Sequence, residues 1–322
     1  MLKTGIVGYG SLGHMHADNA AKNPDIDLVC VCDIRESQFA VKARKNGFDI
    51  GGARTYTDCG DMLEKENLDL LMVIAPTYLH EKFTVMGLEA GANVFCEKPM
   101  SLTSGACRNM TDAAKRTGKN LMTGQCIRFW TEYEYLQTLM ENGTYGRMTS
   151  LIMRRISRYP TWADWFMDSE LSGGAATDLH IHDVDWARWL LGEPVWFGAS
   201  GAYGKTGGID EANLVLQYEH ASASIRASWN SYAPFDMSYE AYFENATVLY
   251  REGASPSLRI ILPDRTEIVP QIEKRDAYEK ELEYFVSVIK GERKNTKCDP
   301  ASALEGIELL EKEIEMIKGN LK

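Results

Sequence analysis

Three residues have types and neighbours suited to exchanging a proton with a substrate hydroxyl. Lys98 lies in the stretch CEKPM, directly after an apolar run that ends at Cys96. Asp178 and His182 lie four residues apart in GGAATDLHIHDVDWARWLLG. Residues four apart share a face of a helix, and a carboxylate beside an imidazole can hold a hydroxyl and move its proton. Because an ammonium group can hydrogen-bond the same oxygen, the three residues are candidates for acid–base catalysis.

The same residues are also compatible with structural roles or with metal binding. Lysine is mostly exposed, so Lys98 can mark only the point where a strand leaves the core, and Asp178 can be only a helix cap. Asp178, His180, His182 and Asp185 also include zinc-ligand types. However, the histidines of HxH lie roughly 200° apart on a helix, and the HExxH spacing is missing, so we predict no metal site. Asp185 can instead orient the His182 ring.

A glycine-rich turn predicts a nucleotide site near the N-terminus. GYGSLG contains Gly8, Gly10 and Gly13, follows a short apolar strand and opens a helix, and Asp33 closes the next strand. This spacing is typical of a dinucleotide-binding βαβ unit, whose acidic residue hydrogen-bonds the ribose 2′-hydroxyl. Asp33 would repel a 2′-phosphate, which favours NAD, whereas Arg35 leaves NADP possible. The alternative is a turn that only packs a helix on a strand.

The carboxyl ends of parallel strands extend the predicted cofactor site. Ligands of open α/β sheets bind at that edge, where APTYLH follows the fourth strand and Glu97 and Lys98 follow the fifth. His80 is equally well explained as a helix-start residue without a ligand. The residues predicted to contact the cofactor are Gly8, Gly10, Ser11, Leu12, Gly13, Asp33, Ile34, Arg35, Ala75, Pro76, Thr77, His80, Glu97, Lys98 and Gln125.

Further candidates could form a pocket wall. Arg128 follows the last strand of the first half, in QCIRFW, and Trp162 and Trp165 lie in TWADWF. We predict that Arg128 and Trp165 contact the substrate together with Asp178 and His182, because an aromatic face suits the C–H surface of a sugar. The alternatives are a surface ion pair for Arg128 and core packing for each tryptophan.

The elements that position these residues differ between the two halves of the chain. Up to residue 124, apolar strands alternate with helices, which predicts a parallel, doubly wound Rossmann sheet. After it, ANLVLQYEH and SASIRASWN alternate with a period of two and predict an antiparallel hairpin in a large open sheet. The fold class is therefore α/β, with a dinucleotide-binding domain over 1–124 and an α+β substrate and oligomerisation domain over 125–322. The principal predicted helices cover residues 14–23, 37–46, 61–66, 80–89, 104–117, 178–191 and 276–289, and one more begins at Asp299–Pro300.

The net charge and the cysteine pattern limit the classes of partner and the cellular compartment that we expect for the chain. The 322 residues carry a net charge of −11, which argues against nucleic acid or an anionic membrane surface as the main partner. The seven cysteines contain no CxxC pair, and the sequence shows no signal peptide and no run of about 18 apolar residues. We therefore expect a cytoplasmic protein with reduced cysteines.

Taken together, these motifs resemble the Gfo/Idh/MocA family of glucose–fructose oxidoreductases and inositol dehydrogenases. The resemblance covers nearly the whole chain and rests on GxGxxG, Asp33, APTYLH, EKP and the Asp178, His182 and Asp185 spacing. It implies a Rossmann domain, an open-sheet domain that forms dimers or tetramers, and NAD(P)-dependent oxidation or reduction of sugars and cyclitols. It also implies that Lys98, Asp178 and His182 are the catalytic lysine, aspartate and histidine.

One residue departs from the family pattern. The family often has glycine where this chain has His180, which adds a bulky polar group near the predicted site and puts the substrate identity in doubt. Two other functions stay open. One is an enzyme that holds NAD tightly and uses it transiently in a sugar transformation, and the other is a non-catalytic NAD-sensing protein.

Overall fold

The structure, a computed structural model, describes residues 1–40 and 52–321. Their contacts divide the chain into two compact units. The first unit contains Met1–Cys126 and Asp276–Glu305, and the second contains Ile127–Arg275 and Gly306–Lys322. The sequence predicts two continuous domains with a boundary near residue 124. In the structure, residues 276–305 belong to the first unit, so that unit is built from two separate parts of the chain.

The first unit contains a six-stranded parallel sheet in the order β3-β2-β1-β4-β5-β6. All four residues of β4 are buried, as expected for a strand covered on both faces. The parallel Rossmann sheet predicted from the alternating elements is confirmed. The strands are β1 Leu2–Val7, β2 Ile26–Cys32, β3 Arg54–Tyr56, β4 Leu70–Val73, β5 Asn93–Glu97 and β6 Leu121–Gly124.

Two helices of the first unit begin at residues whose side chains cap them. Thr103 caps α4 by accepting a hydrogen bond from the Ala106 N–H (3.2 Å), and Gly118 ends it in the left-handed conformation. Asp276 caps α9 by accepting from the backbone N–H groups of residues 278 (2.8 Å) and 279 (3.1 Å). The helices are α1 Ser11–Lys22, α2 Cys59–Lys65, α3 His80–Glu89, α4 Ser104–Thr117 and α9 Ala277–Ile289.

The helix predicted over 37–46 falls mostly outside the described residues. Its first part overlaps a 3₁₀ helix over Glu36–Ala40.

The second unit is built on an eight-stranded sheet in the order β14-β13-β12-β11-β7-β10-β9-β8. Within this sheet, β7–β10 is the one parallel pair among the strands of the described residues, so the predicted mostly antiparallel sheet is confirmed. The strands are β7 Met148–Ile156, β8 Trp196–Tyr203, β9 Ile209–Gln217, β10 Ser222–Ser228, β11 Asp236–Phe243, β12 Thr247–Arg251, β13 Leu258–Ile261 and β14 Glu267–Ile268.

The predicted hairpin is the antiparallel pair β9–β10. Leu214 pairs with Ile225 and Leu216 with Ala223, and all four side chains are buried. The intervening positions, such as Val215, face away from this core and are exposed. The period of two in the sequence therefore reports which face of the sheet is covered.

The helices of the second unit include α5, which the sequence analysis did not predict, and α10, which begins as predicted. Asp299 accepts a hydrogen bond from the Ala301 N–H (2.9 Å) at the start of α10, and the division between the units falls within this helix. The helices are α5 Thr131–Glu141, α6 Ser169–Ser172, α7 Gly174–Asp178, α8 Ile181–Leu191 and α10 Pro300–Asn320.

The single helix predicted over 178–191 is wrong. The structure has two helices, α7 and α8, separated by Leu179 and His180. The N–H groups of both residues donate to the Ala175 carbonyl, at 3.1 and 2.9 Å, so the second bond spans five residues instead of four. This wide turn places Asp178 and His182 in different helices, α7 and α8, and their predicted shared face stays a prediction.

Two further observations concern the sequence expectations. All seven cysteines lie in the described residues as buried thiols that form no disulfide, and burial raises the pKa of the Cys30 thiol to about 12. No helix within residues 1–40 and 52–321 has both the length and the apolar character needed to cross a membrane.

Candidate functional site

Two of the three glycines in the predicted nucleotide loop are required by the protein's own backbone. Gly8 has φ +91°, and a Cβ there would lie 2.5 Å from the Ala75 nitrogen. A Cβ on Gly13 would lie 2.2 Å from the Gly8 carbonyl oxygen. Both glycines therefore allow the close packing of β1, β4 and α1.

Gly10 is different, because a Cβ there would meet only the Arg35 guanidinium, at 3.8 Å, among the described residues. No packing of the described protein explains a missing side chain at this position. The position precedes the exposed Ser11 and Leu12 at the N-terminus of α1, where backbone N–H groups and the helix dipole favour an anion. A space next to a helix N-terminus that a Cβ would fill fits the pyrophosphate of a dinucleotide.

Asp33 lies beside this loop at the end of β2. Its carboxylate accepts hydrogen bonds from the Tyr9 N–H (3.0 Å) and the Arg35 N–H (2.9 Å), and the residue is 7% exposed. Two backbone donors use only part of the acceptor capacity of a carboxylate. Asp33 is therefore held in place with capacity left for a ribose hydroxyl, while the Ile34 side chain is 86% exposed next to it.

His80 joins the ends of two strands. Its Nδ1 lies 2.8 Å from the Pro99 carbonyl oxygen and its Nε2 2.8 Å from the Ala75 carbonyl oxygen. The ring is buried, and this burial lowers the pKa of the imidazole. These contacts give His80 a role in holding the strand ends. Its predicted cofactor contact, like those of Pro76, Thr77 and Gln125 at the same edge of the sheet, stays a prediction.

Lys98 is the one half-exposed residue in the otherwise buried stretch 94–101. The preceding Glu97 is buried, and its Oε2 accepts a hydrogen bond from the Lys98 N–H (3.0 Å) while its Oε1 lies 2.6 Å from His16 Nε2. Burial favours the neutral carboxyl, but the His16 hydrogen bond and the nearby charges outweigh it, so the pKa of Glu97 is lowered. Glu97 therefore supports the backbone of Lys98.

Asp178 and His182 show the same pattern in the second unit. Within residues 174–188, these two alone are half-exposed, and every other residue is buried. Their neighbours Asp183 and Asp185 are completely buried and face inward. The segment thus presents one carboxylate and one imidazole from a buried support, as a catalytic pair requires.

Two buried ion pairs hold α8 in place. The Arg155 guanidinium donates to both Asp183 oxygens, at 3.1 and 2.7 Å, and the Arg128 guanidinium donates to both Asp185 oxygens, at 2.8 and 2.6 Å. Such two-pronged pairs fix both position and orientation. Asp185 was expected to orient His182, but its carboxylate binds Arg128.

Arg128 itself was predicted to contact the substrate. It is 1% exposed, and its guanidinium lies 5.1 Å from the centre of the Trp189 ring. These contacts explain the residue as structural support, and the substrate contact is not needed to account for it. The surface ion pair considered as an alternative is wrong, because the pair with Asp185 is buried.

The two candidate tryptophans contact Phe166, which packs against the region around Asp178. Trp162 is 70% exposed, so the core packing considered for it is wrong. Trp165 is half-buried and stacks on Phe166, with ring centres 3.8 Å apart. Phe166 packs in one cluster with Ala175 and Leu179, which flank Asp178. The tryptophan surface and Asp178 are therefore held by the same hydrophobic cluster.

His180, the departure from the family pattern, does not line this surface. It is completely buried, and its Nε2 lies 3.2 Å from a Glu313 carboxylate oxygen on α10. The expectation that it adds a bulky group near the site is wrong. Sequence reasoning also missed His16 and Glu281, which lie beside Glu97, because no local motif joins residues so far apart in the chain.

These features define a class of protein. A glycine turn, a strand-end aspartate and an open space at a helix N-terminus form the dinucleotide site of a Rossmann unit. Residues 2–125 match the family described as an oxidoreductase family with an NAD-binding Rossmann fold. The chain is an enzyme of the NAD-dependent oxidoreductase class.

The family follows from both units. Residues 133–249 match the GFO/IDH/MocA C-terminal domain, so the two matches cover well over half of the chain. The chain belongs to the Gfo/Idh/MocA family, as its motifs predicted.

Individual relatives agree with this assignment. The chain is 30% identical over 231 residues to myo-inositol 2-dehydrogenase of Thermotoga maritima, which is 70% of this chain and 67% of that protein. It is 34% identical over 197 residues to D-glucoside 3-dehydrogenase of Escherichia coli K12, which is 60% of this chain and 55% of that protein. The crystal structure of a probable dehydrogenase from Thermotoga maritima superposes with a TM-score of 0.82 at 25% identity, covering 99% of this chain and 97% of that one.

Proposed function

We propose that this chain oxidises a secondary hydroxyl of a cyclitol or sugar with NAD, or reduces the corresponding ketone. The observation that carries the proposal is the exposure pattern: Lys98, Asp178 and His182 are the half-exposed residues within two otherwise buried stretches. Buried polar support of this kind keeps reactive groups in a fixed geometry. The family match supports a reaction of the same class.

The three side chains have separate roles in the proposed reaction. The Lys98 ammonium hydrogen-bonds the reacting hydroxyl oxygen and favours its loss of a proton. His182 accepts that proton as the general base, and Asp178 holds a neighbouring hydroxyl group. When bound, NAD accepts the hydride from the carbinol carbon. The substrate thereby loses one hydride and one proton and becomes a ketone.

An unphosphorylated polyol is the proposed substrate class. The relatives' names are those of dehydrogenases for myo-inositol and D-glucosides. The aromatic surface at Trp162 and Trp165 suits the C–H face of a ring. A phosphate group would need basic side chains, and Arg155, one of the arginines on β7, is committed to Asp183.

We also propose that the exposed face of the large sheet contacts a second copy of the chain. Val215 on β9 and Trp196 on β8 are 42% and 59% exposed, and an open sheet face with exposed apolar groups is suited to pairing. Light scattering of the purified protein tests this. A dimer or tetramer that Trp196→Glu dissociates supports the proposal, and a wild-type monomer at micromolar concentration contradicts it.

The function itself is tested with a substrate panel. Purified protein is mixed with NAD, and separately with NADP, against inositols, glucosides, hexoses and aldonates, while the absorbance of the reduced nicotinamide is followed. Reduction with one polyol class supports the proposal. NAD that co-purifies without net reduction would favour transient use of a tightly held cofactor. NAD binding without turnover of any substrate would favour an NAD-sensing protein.

A further inference from the structure

Three ionisable side chains form a buried cluster behind Lys98. His16 on α1, Glu97 at the end of β5 and Glu281 on α9 each place a nitrogen or carboxylate oxygen within 4.8 Å of the others. His16 and Glu281 are completely buried and Glu97 is 3% exposed. All three belong to the first unit. We call this set the His16–Glu97–Glu281 cluster.

The two carboxyl groups of the cluster are not equivalent. Glu97 has two partners, the His16 ring at 2.6 Å and the Lys98 N–H at 3.0 Å. Neither oxygen of Glu281 has a hydrogen-bond partner within residues 1–40 and 52–321. A buried carboxylate without a donor is very unfavourable, whereas a neutral carboxylic acid loses far less when it leaves water.

The other charged groups around Glu281 increase this difference. Burial raises the pKa of the Glu281 carboxyl well above its usual value, and the negative charges of Glu97 and Asp276 raise it further. His16 and Lys98 instead lie on the Glu97 side of the cluster and favour the Glu97 anion. Tyr278 is a further neighbour of Glu281, and the nearby Cys126 together with burial raises the pKa of the Tyr278 phenol well above the usual value, so Tyr278 adds no charge at pH 7.

A divalent cation is a less suitable partner for these groups. The His16 nitrogen and the Glu97 oxygen are 2.6 Å apart, which is a hydrogen-bond distance, whereas two ligands on one ion lie about 3 Å apart or more. A cation would therefore require this hydrogen bond to open. A single proton instead removes the charge of Glu281 and leaves the hydrogen bond between His16 and Glu97 closed.

We infer that Glu281 is protonated at neutral pH, so that the His16–Glu97–Glu281 cluster stores one proton and keeps Glu97 as the only anion behind Lys98. An ionised Glu281 would repel Glu97 and compete with it for the His16 N–H. Glu281 is thus a positioning residue that acts on Lys98 through Glu97. This effect on catalysis rests on the proposed function, but the protonation of Glu281 does not.

Infrared spectroscopy of the full chain in D₂O tests the protonation directly. We expect the wild-type protein at pH 7 to show a C=O stretch of a buried protonated carboxyl group that is missing from the spectrum of Glu281→Gln. Glu283→Gln is the matched control, because Glu283 is exposed on the same helix and its removal should leave the band unchanged. A wild-type spectrum without this band, or a band that persists in Glu281→Gln, would overturn the inference.

Proton release on unfolding provides a second readout. Because the pKa of Glu281 is raised only in the folded state, the folded protein holds a proton at pH 7 that the unfolded chain releases. The free energy of unfolding therefore falls as the pH rises from the usual pKa of a glutamate towards the raised pKa of the folded state. Glu281→Gln should release about one proton fewer than wild type and Glu283→Gln should not. An equal release from all three proteins, or one bound divalent cation per wild-type chain that Glu281→Gln loses, would contradict a stored proton.

The catalytic consequence is measured separately. The amide of Glu281→Gln mimics the neutral acid, so turnover should stay within about threefold of wild type, whereas Glu281→Ala, which leaves a cavity beside Glu97, should lower kcat at least about tenfold. If Glu281→Gln loses both the infrared band and most of its turnover, Glu281 is protonated as inferred but its proposed effect on Lys98 is wrong. The stored proton itself would stand in that case.

Discussion

Arg128 and Asp185 form an ion pair with both side chains 1% exposed, joined by hydrogen bonds of 2.8 and 2.6 Å. Together with the Arg155–Asp183 pair, it attaches the buried side of α8 to the second unit. His182 is on the same helix and keeps part of its surface exposed. One short helix therefore carries buried residues that hold it in place, Asp183 and Asp185, and a partly exposed candidate catalytic residue, His182.

Breaking the Arg128–Asp185 pair should strongly destabilise the fold. Arg128→Met leaves a buried carboxylate without its partner, which should lower the free energy of unfolding by about 3–5 kcal/mol. The double variant Arg128→Met/Asp185→Leu should recover most of this loss, because no unpaired charge remains. Urea unfolding measures both. Lys65→Met, which breaks an exposed pair with Asp61, is the control and should cost less than about 1 kcal/mol.

Alanine substitutions at two glycines of the nucleotide loop should have different effects, one on NAD affinity and the other on stability. Gly10→Ala should fold normally and lose at least about tenfold in NAD affinity, because the new methyl group enters the ligand space. Gly13→Ala should instead lose about 1–3 kcal/mol of stability, because its Cβ overlaps the Gly8 carbonyl oxygen. Thermal unfolding and NAD titration of both variants distinguish them. Equal NAD affinity in Gly10→Ala and wild type would show that the pyrophosphate does not bind beside Gly10.

Asp33 should control the choice between the two cofactors. Asp33→Asn keeps an oxygen that can accept the Tyr9 N–H but removes the negative charge that repels a 2′-phosphate. The ratio of kcat/KM for NADP to that for NAD should rise at least about tenfold, which corresponds to about 1.4 kcal/mol. Steady-state kinetics with each cofactor measures this ratio. An unchanged ratio would mean that Asp33 does not face the ribose.

The exposed aromatic surface should affect substrate binding without affecting folding. Trp162→Ala should raise KM for the polyol about 2–10-fold, the scale of a lost aromatic contact. Its stability should stay within about 0.5 kcal/mol of wild type, because the side chain is mostly exposed. Tyr203→Ala is the control, since Tyr203 is an exposed aromatic residue on β8. Equal KM values in wild type and Trp162→Ala would exclude Trp162 from the site.

Local patterns were sufficient to predict several parts of the fold and site. The bounds of α3 and α4 follow from periodicity and caps, and the β9–β10 pairing follows from a period of two. The glycine turn and Asp33 were recognisable because their roles depend on backbone geometry that only certain residue types allow.

Other features depend on tertiary contacts that no local pattern reports. The wide turn at Leu179–His180 interrupts an otherwise regular helical pattern, and the buried contact between His180 and Glu313 joins residues 133 positions apart. Glu281 likewise has an ordinary polar position in its helix sequence, and only the packing of α1, β5 and α9 buries it. Burial of a polar residue is decided by these neighbours and not by its own type.

In the proposed reaction, Lys98 and His182 act on the proton of a polyol hydroxyl. The most direct measurement compares the turnover of wild type, Lys98→Met and His182→Gln with NAD and the best polyol of the panel, using the exposed Lys82→Met as the control. We expect turnover to fall about 100-fold or more in Lys98→Met and in His182→Gln, with folding and NAD binding retained, and to stay unchanged in Lys82→Met. Turnover near the wild-type value in either Lys98→Met or His182→Gln would contradict the role assigned to that residue.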